Sequence, residues 1–129
     1  MFRSFRSFVV AVFLLLLIPS LGLPQTLSGT ITGVVRGPGG KPLPGICVEA
    51  VPFQGGIGIP TATTRRARGD YRIADLQPGS YKIKFTAGCG ANGFATRWYK
   101  NARTELGGRF VHVSAASVMS GINQTLPRS

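Results

Sequence analysis

Tyr81-Lys82-Ile83-Lys84-Phe85 alternates large apolar and cationic side chains with a period of two. Only an extended strand puts every second side chain on one face. The stretch therefore predicts a strand with Tyr81, Ile83 and Phe85 toward a core and Lys82 and Lys84 toward water. The same alternation governs the rest of the chain, and no segment sustains a 3.6-residue apolar period. Ile46-Cys47-Val48-Glu49-Ala50-Val51 sends Ile46, Val48 and Ala50 to one side, and Tyr71 and Ile73 point inward from a short strand at 71–74.

Glycine and proline set where these strands stop. Gly37-Pro38-Gly39-Gly40-Lys41-Pro42-Leu43-Pro44-Gly45 can only be turn and loop, and Pro78-Gly79 suits a type II turn in which glycine supplies the positive φ. Seven strands result, at 30–36, 46–51, 61–64, 71–74, 81–85, 109–113 and 120–126. Between 86 and 108 the chain is irregular, with room for one helical turn in 94–102. Seven short strands with turns between them predict an all-β, antiparallel sandwich.

The first 22 residues stand apart. Two arginines, Arg3 and Arg6, precede the apolar run Val9–Ile18, and Pro19 with Ser20-Leu21-Gly22 supplies a small-x-small cleavage site. This is the pattern of a secretory signal peptide, and the run is about half of the ~20 residues that span a bilayer. Expected organisation is a signal peptide at 1–22, a linker at 23–28 and one domain at 29–127, secreted or periplasmic after cleavage. No later run is long enough to span a membrane.

Export changes the reading of charge and of cysteine. The full chain carries 15 Lys+Arg against 4 Asp+Glu. Without Arg3 and Arg6, thirteen basic residues face four acidic ones, a net +9. Such a charge favours a monomer and attraction to anionic surfaces. Apart from one tight cluster, Arg65, Arg66, Arg68 and Arg72, which reads as a solvated turn and strand face, the basic residues are spread along the chain. An exported protein meets little nucleic acid, so no nucleic-acid partner is expected. Cys47 and Cys89 are the only cysteines, and a pair in an exported chain usually forms a disulfide. It would close a loop of about 43 residues, worth roughly 4 kcal/mol by chain entropy. With His112 as the only histidine, the two cysteines make a poor metal site, and no metal or cofactor is expected.

The turns and strands up to Phe85 resemble the carboxypeptidase regulatory-like domain. The matching residues are Gly33-Val34-Val35, then Gly40-Lys41-Pro42-Leu43-Pro44-Gly45-Ile46, then Gly69-Asp70-Tyr71, Leu76, Pro78-Gly79 and Tyr81. Cys47, Cys89 and the pair Trp98-Tyr99 resemble an arrangement found in exported members. The resemblance implies a transthyretin-like, Ig-like, seven-stranded Greek-key sandwich and no chemistry of its own. Where many relatives carry acidic residues before the Gly-x-Tyr turn, this chain has Arg66 and Arg68, so no cation is expected there.

No catalytic set assembles from the sequence. Gly-x-Ser-x-Gly is absent, and one histidine cannot build a zinc peptidase. Arg68-Gly69-Asp70 matches an adhesion tripeptide, but a hairpin turn explains Gly69 without a receptor. Binding has better candidates: Phe94, Trp98 and Tyr99, interleaved with Arg97, Lys100 and Arg103. Aromatic faces stack on sugars and arginines grip carboxylates or phosphates. The alternative is that Trp98 plugs the end of the sandwich and Tyr99 bonds to backbone. An open aromatic row would favour a carbohydrate or anionic envelope polysaccharide. A buried Trp98 would favour an accessory or scaffold module for a protein partner.

Overall fold

The computed structural model describes residues 27–53 and 58–129. The expected signal peptide and most of the linker lie outside these residues. Nine strands are present among them: β1 (Gly29–Arg36), β2 (Ile46–Pro52), β3 (Thr61–Thr63), β4 (Asp70–Leu76), β5 (Gly79–Ala87), β6 (Arg97–Trp98), β7 (Phe110–Val113), β8 (Val118–Met119) and β9 (Gln124–Thr125). A single 3-10 turn, Pro38–Gly40, is the one helical element described. No helix among the described residues is long and apolar enough to cross a membrane.

Two sheets pack face to face. In the first, β4 pairs antiparallel with β1, while β8 and β9 lie parallel to successive halves of β1. In the second, the order is β3–β2–β5, and β5 shares its far edge between β7 at Gly79–Lys82 and β6 at Lys84–Phe85. The expected alternation holds on β5: Tyr81, Ile83 and Phe85 are buried and the lysines are not. Ile46, Val48 and Ala50 of β2 and Tyr71 and Ile73 of β4 meet them between the sheets. Tyr71 and Phe85 sit edge to face, ring centroids 5.9 Å apart, a preferred arrangement for aromatic pairs.

The strand count exceeds the expected seven for two reasons. The long loop contributes β6, with no helical turn at 94–102. An unexpected strand, β8, lies just before the one expected at 120–126, and of that expected strand only Gln124–Thr125 pairs, as β9. Gly121 has φ +74°, and the chain detours so that the Ile122 carbonyl accepts the Tyr71 hydroxyl at 2.6 Å. That carbonyl lies so close to Gly33 that a Cβ there would collide with it. Both late segments run parallel to β1, so the sandwich is not purely antiparallel.

Cys47 on β2 and Cys89 just past β5 are joined by a disulfide, with Cα atoms 5.3 Å apart. Beside it, Thr64 Oγ1 donates to the Leu43 carbonyl at 2.7 Å and accepts from the Ile46 amide at 2.9 Å. These contacts pin the start of β2 and the loop that leads from β5 toward β6.

Candidate anion-binding groove

The register of β6 decides where the loop side chains go. Trp98 stands opposite Lys84 and Arg97 opposite Phe85. Neighbouring strand residues alternate faces, so Trp98 shares the outward face of Lys84. It is nevertheless only 8% exposed and lies outside the inter-sheet core cluster. The Lys84 ammonium sits 5.8 Å from its ring centroid. A Cβ on Gly108 would approach the Trp98 Cβ to 3.0 Å. Trp98 therefore does not plug the sandwich end; it is roofed on the outer surface by the loop that follows it.

That loop folds back tightly. The Trp98 amide donates to the Ala102 carbonyl at 2.7 Å, and the Ala102 amide donates back to Trp98 at 2.9 Å. The Tyr99 amide donates to Ile83, and Arg109 donates to the Tyr99 carbonyl. Tyr99 and Phe94 are half-buried against the core, and the Arg128 guanidinium lies 5.1 Å over the Phe94 ring. The three aromatics form no open row, and the stacking platform of the sugar-binding alternative is not displayed.

The cations of the loop have a different fate. Arg97 and Lys100 line a groove of about 710 Å³ together with Arg36 at the end of β1 and Arg128 near the C-terminus. Arg103 is exposed but lies elsewhere. Asn101, Asn123, Gln124 and Thr125 complete the polar lining. Because β6 is short and edges its sheet, the inward direction of Arg97 opens onto this seam between the sheets.

The seam has a hydrogen-bonded frame. Buried Gln124 accepts from the Asn101 amide at 2.9 Å, and its own amide donates to the Thr125 carbonyl at 2.8 Å. Asn123 accepts from the Val34 amide at 2.8 Å. Ala95 donates to Pro127 and Leu126 donates to Arg36 across the same seam. These bonds hold both walls, so the four cations are presented from backbone that is fixed in place.

No acidic residue lines the groove. The chain has four acids, Glu49, Asp70, Asp75 and Glu105, and all of them are elsewhere. Four cations with amide and hydroxyl neighbours and no acid among them have the chemistry to receive a carboxylate or phosphate. Guanidinium binds such groups in a planar, two-pronged way. Arg36, Arg128 and the Asn123–Thr125 segment were not among the sequence candidates. They lie outside the loop in sequence, and the one pattern among them, the glycosylation acceptor sequence Asn123-Gln124-Thr125, does not point to anion binding.

The other sequence candidates resolve as structure. Gly69 has φ +66°, and a Cβ there would press against the Leu43 amide and the Val35 carbonyl. Its amide donates to Arg65, whose guanidinium grips both carboxylate oxygens of Asp70. That bond to Arg65 holds the Asp70 carboxyl below its ordinary range. The acid of the adhesion tripeptide is thus engaged within its own turn. His112 projects outward between buried Val111 and Val113, with Nδ1 2.6 Å from Ser80 Oγ. No carboxylate hydrogen-bonds to the ring among the described residues, and no cluster of three metal-ligating side chains occurs among them.

A family model of the carboxypeptidase regulatory-like domain matches residues 30–117. Among solved structures, a minor pilin of the gram-positive pathogen Streptococcus agalactiae superposes with a TM-score of 0.54 at 15% identity. The alignment covers 81% of this chain and 46% of the pilin chain. The chain thus spans less than half of the pilin's length, and the likeness is one of fold. No curated protein matches the chain.

Proposed function

The chain belongs to the carboxypeptidase regulatory-like domain family, and from that premise we propose that it is an exported, non-catalytic β-sandwich module that works by binding at the cell envelope. Residues 1–22 are its signal peptide, 23–28 a linker and 29–127 the module, which acts as a monomer. The burial of Trp98 favours an accessory or scaffold role over stacking on a sugar. The acid-free seam groove adds a site suited to an anionic envelope polysaccharide, bound through charge rather than through aromatic stacking. The observation that carries this reading is the convergence of Arg36, Arg97, Lys100 and Arg128 on one groove without an acid. Guanidinium groups suit the carboxylates or phosphates of such a polymer, and the amides of Asn101 and Asn123 suit its hydroxyls.

Relative to the loop considered in sequence, the binding surface keeps Arg97 and Lys100 and gives up the aromatic stack. The test is an isotherm of the exported protein on isolated anionic envelope polysaccharide at low and high salt, beside Arg36→Ala and Arg97→Ala. Affinity should fall with salt, because exposed charges are screened over roughly 8 Å at physiological ionic strength. It should fall again in each variant. Affinity indifferent to salt and to both substitutions removes the groove as the site.

A further inference from the structure

A second surface lies on the outer face of the β3–β2–β5 sheet, away from the groove. Leu106 is 90% exposed and Phe53 is 66% exposed, values far from the usual fate of large apolar side chains. They share one cleft of about 560 Å³ with Val51, Phe110 and Lys82. The cleft is built. Lys82 donates from Nζ to the Glu105 and Leu106 carbonyls at 2.7 and 3.2 Å, fastening the loop main chain over β5. Phe53 and Phe110 meet edge to face at 5.3 Å, and the Lys82 ammonium lies 4.8 Å over the Phe110 ring. The cleft is therefore lined by one ammonium, Lys82, and one carboxylate, Glu105, beside its apolar floor.

The strand beside this cleft is also incomplete. β7 pairs with β5 along Phe110–Val113, and among the described residues no strand pairs with its other side. An edge of this kind offers main-chain donors and acceptors to an added strand. We propose that the cleft and the β7 edge together dock an extended segment of a partner protein that combines an apolar anchor with acidic residues. The anchor enters between Phe53, Leu106 and Phe110. Its backbone pairs with β7, which a lipid chain could not do. The acidic preference follows from the balance of charge: Lys82 in the cleft and Arg109 just before β7 outnumber the one carboxylate, Glu105, and a mature charge of +9 opposes a second copy of the same chain. This surface is separate from the seam groove and does not depend on it.

The experiment selects a displayed library of random linear peptides on the exported protein and, in parallel, on Leu106→Asp. Leu106 is exposed, so the variant keeps the fold, which a thermal melt verifies. Enriched peptides should carry an aromatic or branched residue flanked by Asp or Glu. A representative peptide should shift the amide resonances of Val51, Phe53, 104–106 and 110–113. Leu106→Asp should weaken its binding about tenfold or more, and Arg97→Ala should leave it unchanged. The proposal is overturned if no peptide is enriched over the variant, or if the shifts fall at the groove. It is equally overturned if Leu106→Asp instead abolishes a concentration-dependent dimer, or instead abolishes binding to anionic phospholipid vesicles.

Discussion

Two basic regions of this chain invite comparison. Arg65, Arg66, Arg68 and Arg72 fall within eight consecutive residues. Arg36, Arg97, Lys100 and Arg128 are spread over most of the chain and meet at the seam. The first group looks like a site in sequence, yet it is a turn and a strand face. Arg65 is paired with Asp70, and the tight backbone at Gly69 serves a turn that crosses from β3 in one sheet to β4 in the other, not the expected hairpin. Of the second group only Arg97 and Lys100 stand out in sequence, yet all four share a groove without an acid. Density of charge along the chain is a poor guide to density in space, because a strand and its turn disperse neighbours while sheet packing gathers strangers.

The largest test of this contrast is the disulfide. Replacing Cys89 by Ser should lower stability by about 4 kcal/mol in chemical denaturation. Cys89 anchors the loop that runs to β6. Hydrogen exchange should therefore quicken first at 89–102, on the groove wall, while the Arg65–Asp70 turn keeps its protection. Equal loosening of both regions would break the comparison.

Next comes binding itself. Arg97→Ala should cost about 1.5–3 kcal/mol of affinity for the anionic polysaccharide, as expected for hydrogen bonds to charged groups, or roughly 10- to 100-fold. Arg66→Ala combined with Arg68→Ala should leave the isotherm close to that of the parent protein. If the turn variants lose as much as Arg97→Ala, general charge rather than the groove accounts for binding.

A smaller effect is expected at Tyr71, whose hydroxyl holds the Ile122 carbonyl near the seam. Tyr71→Phe should lose about 1–2 kcal/mol, since that carbonyl is left without its donor. Burial pushes the Tyr71 phenol well above its usual range. A pKa raised in the folded state means that its stabilising contribution is complete below about pH 10, the unfolded value, and is lost as pH rises beyond it. Alkaline unfolding should therefore be steeper in the parent than in Tyr71→Phe.

The smallest effect belongs to the Arg65–Asp70 pair, which is exposed and screened. Asp70→Asn should barely move the melting temperature at neutral pH. The Asp70 carboxyl is lowered chiefly by its hydrogen bond to Arg65. What it contributes is present above about pH 4, the unfolded value, and fades as pH falls through the lower folded one. The gap between parent and variant should close in acid.

How much was legible follows from the range of the forces involved. Tyr81, Ile83 and Phe85 could be assigned to the core because side-chain alternation is a property of any strand, whatever it packs against. Cys47 and Cys89 could be paired because only two cysteines exist. Gly69 could be read as a turn residue, though not as one whose turn joins strands of different sheets instead of closing a hairpin. Trp98 could not be placed, because its burial depends on β6 pairing opposite Lys84 and on a roof supplied by residues up to Gly108. The break between β8 and β9 was equally hidden. It follows from the close passage of Ile122 past Gly33 and from the Tyr71 hydroxyl, both contacts across long sequence separations.

Sequence by itself determined the strand faces, the cysteine pair and the excess of positive charge, since each rests on local sterics, covalent chemistry or simple counting. It placed the turns but not their type, for Gly79 starts β5 at φ +158° and not in the expected type II turn. Only the tertiary structure decided which cations stand together and which apolar side chains stay in the open. Electrostatic and hydrophobic sites depend on distance through space, and here that distance is set by β6, β9 and the Gln124–Asn101 bonds that draw the two sheets' edges into one seam.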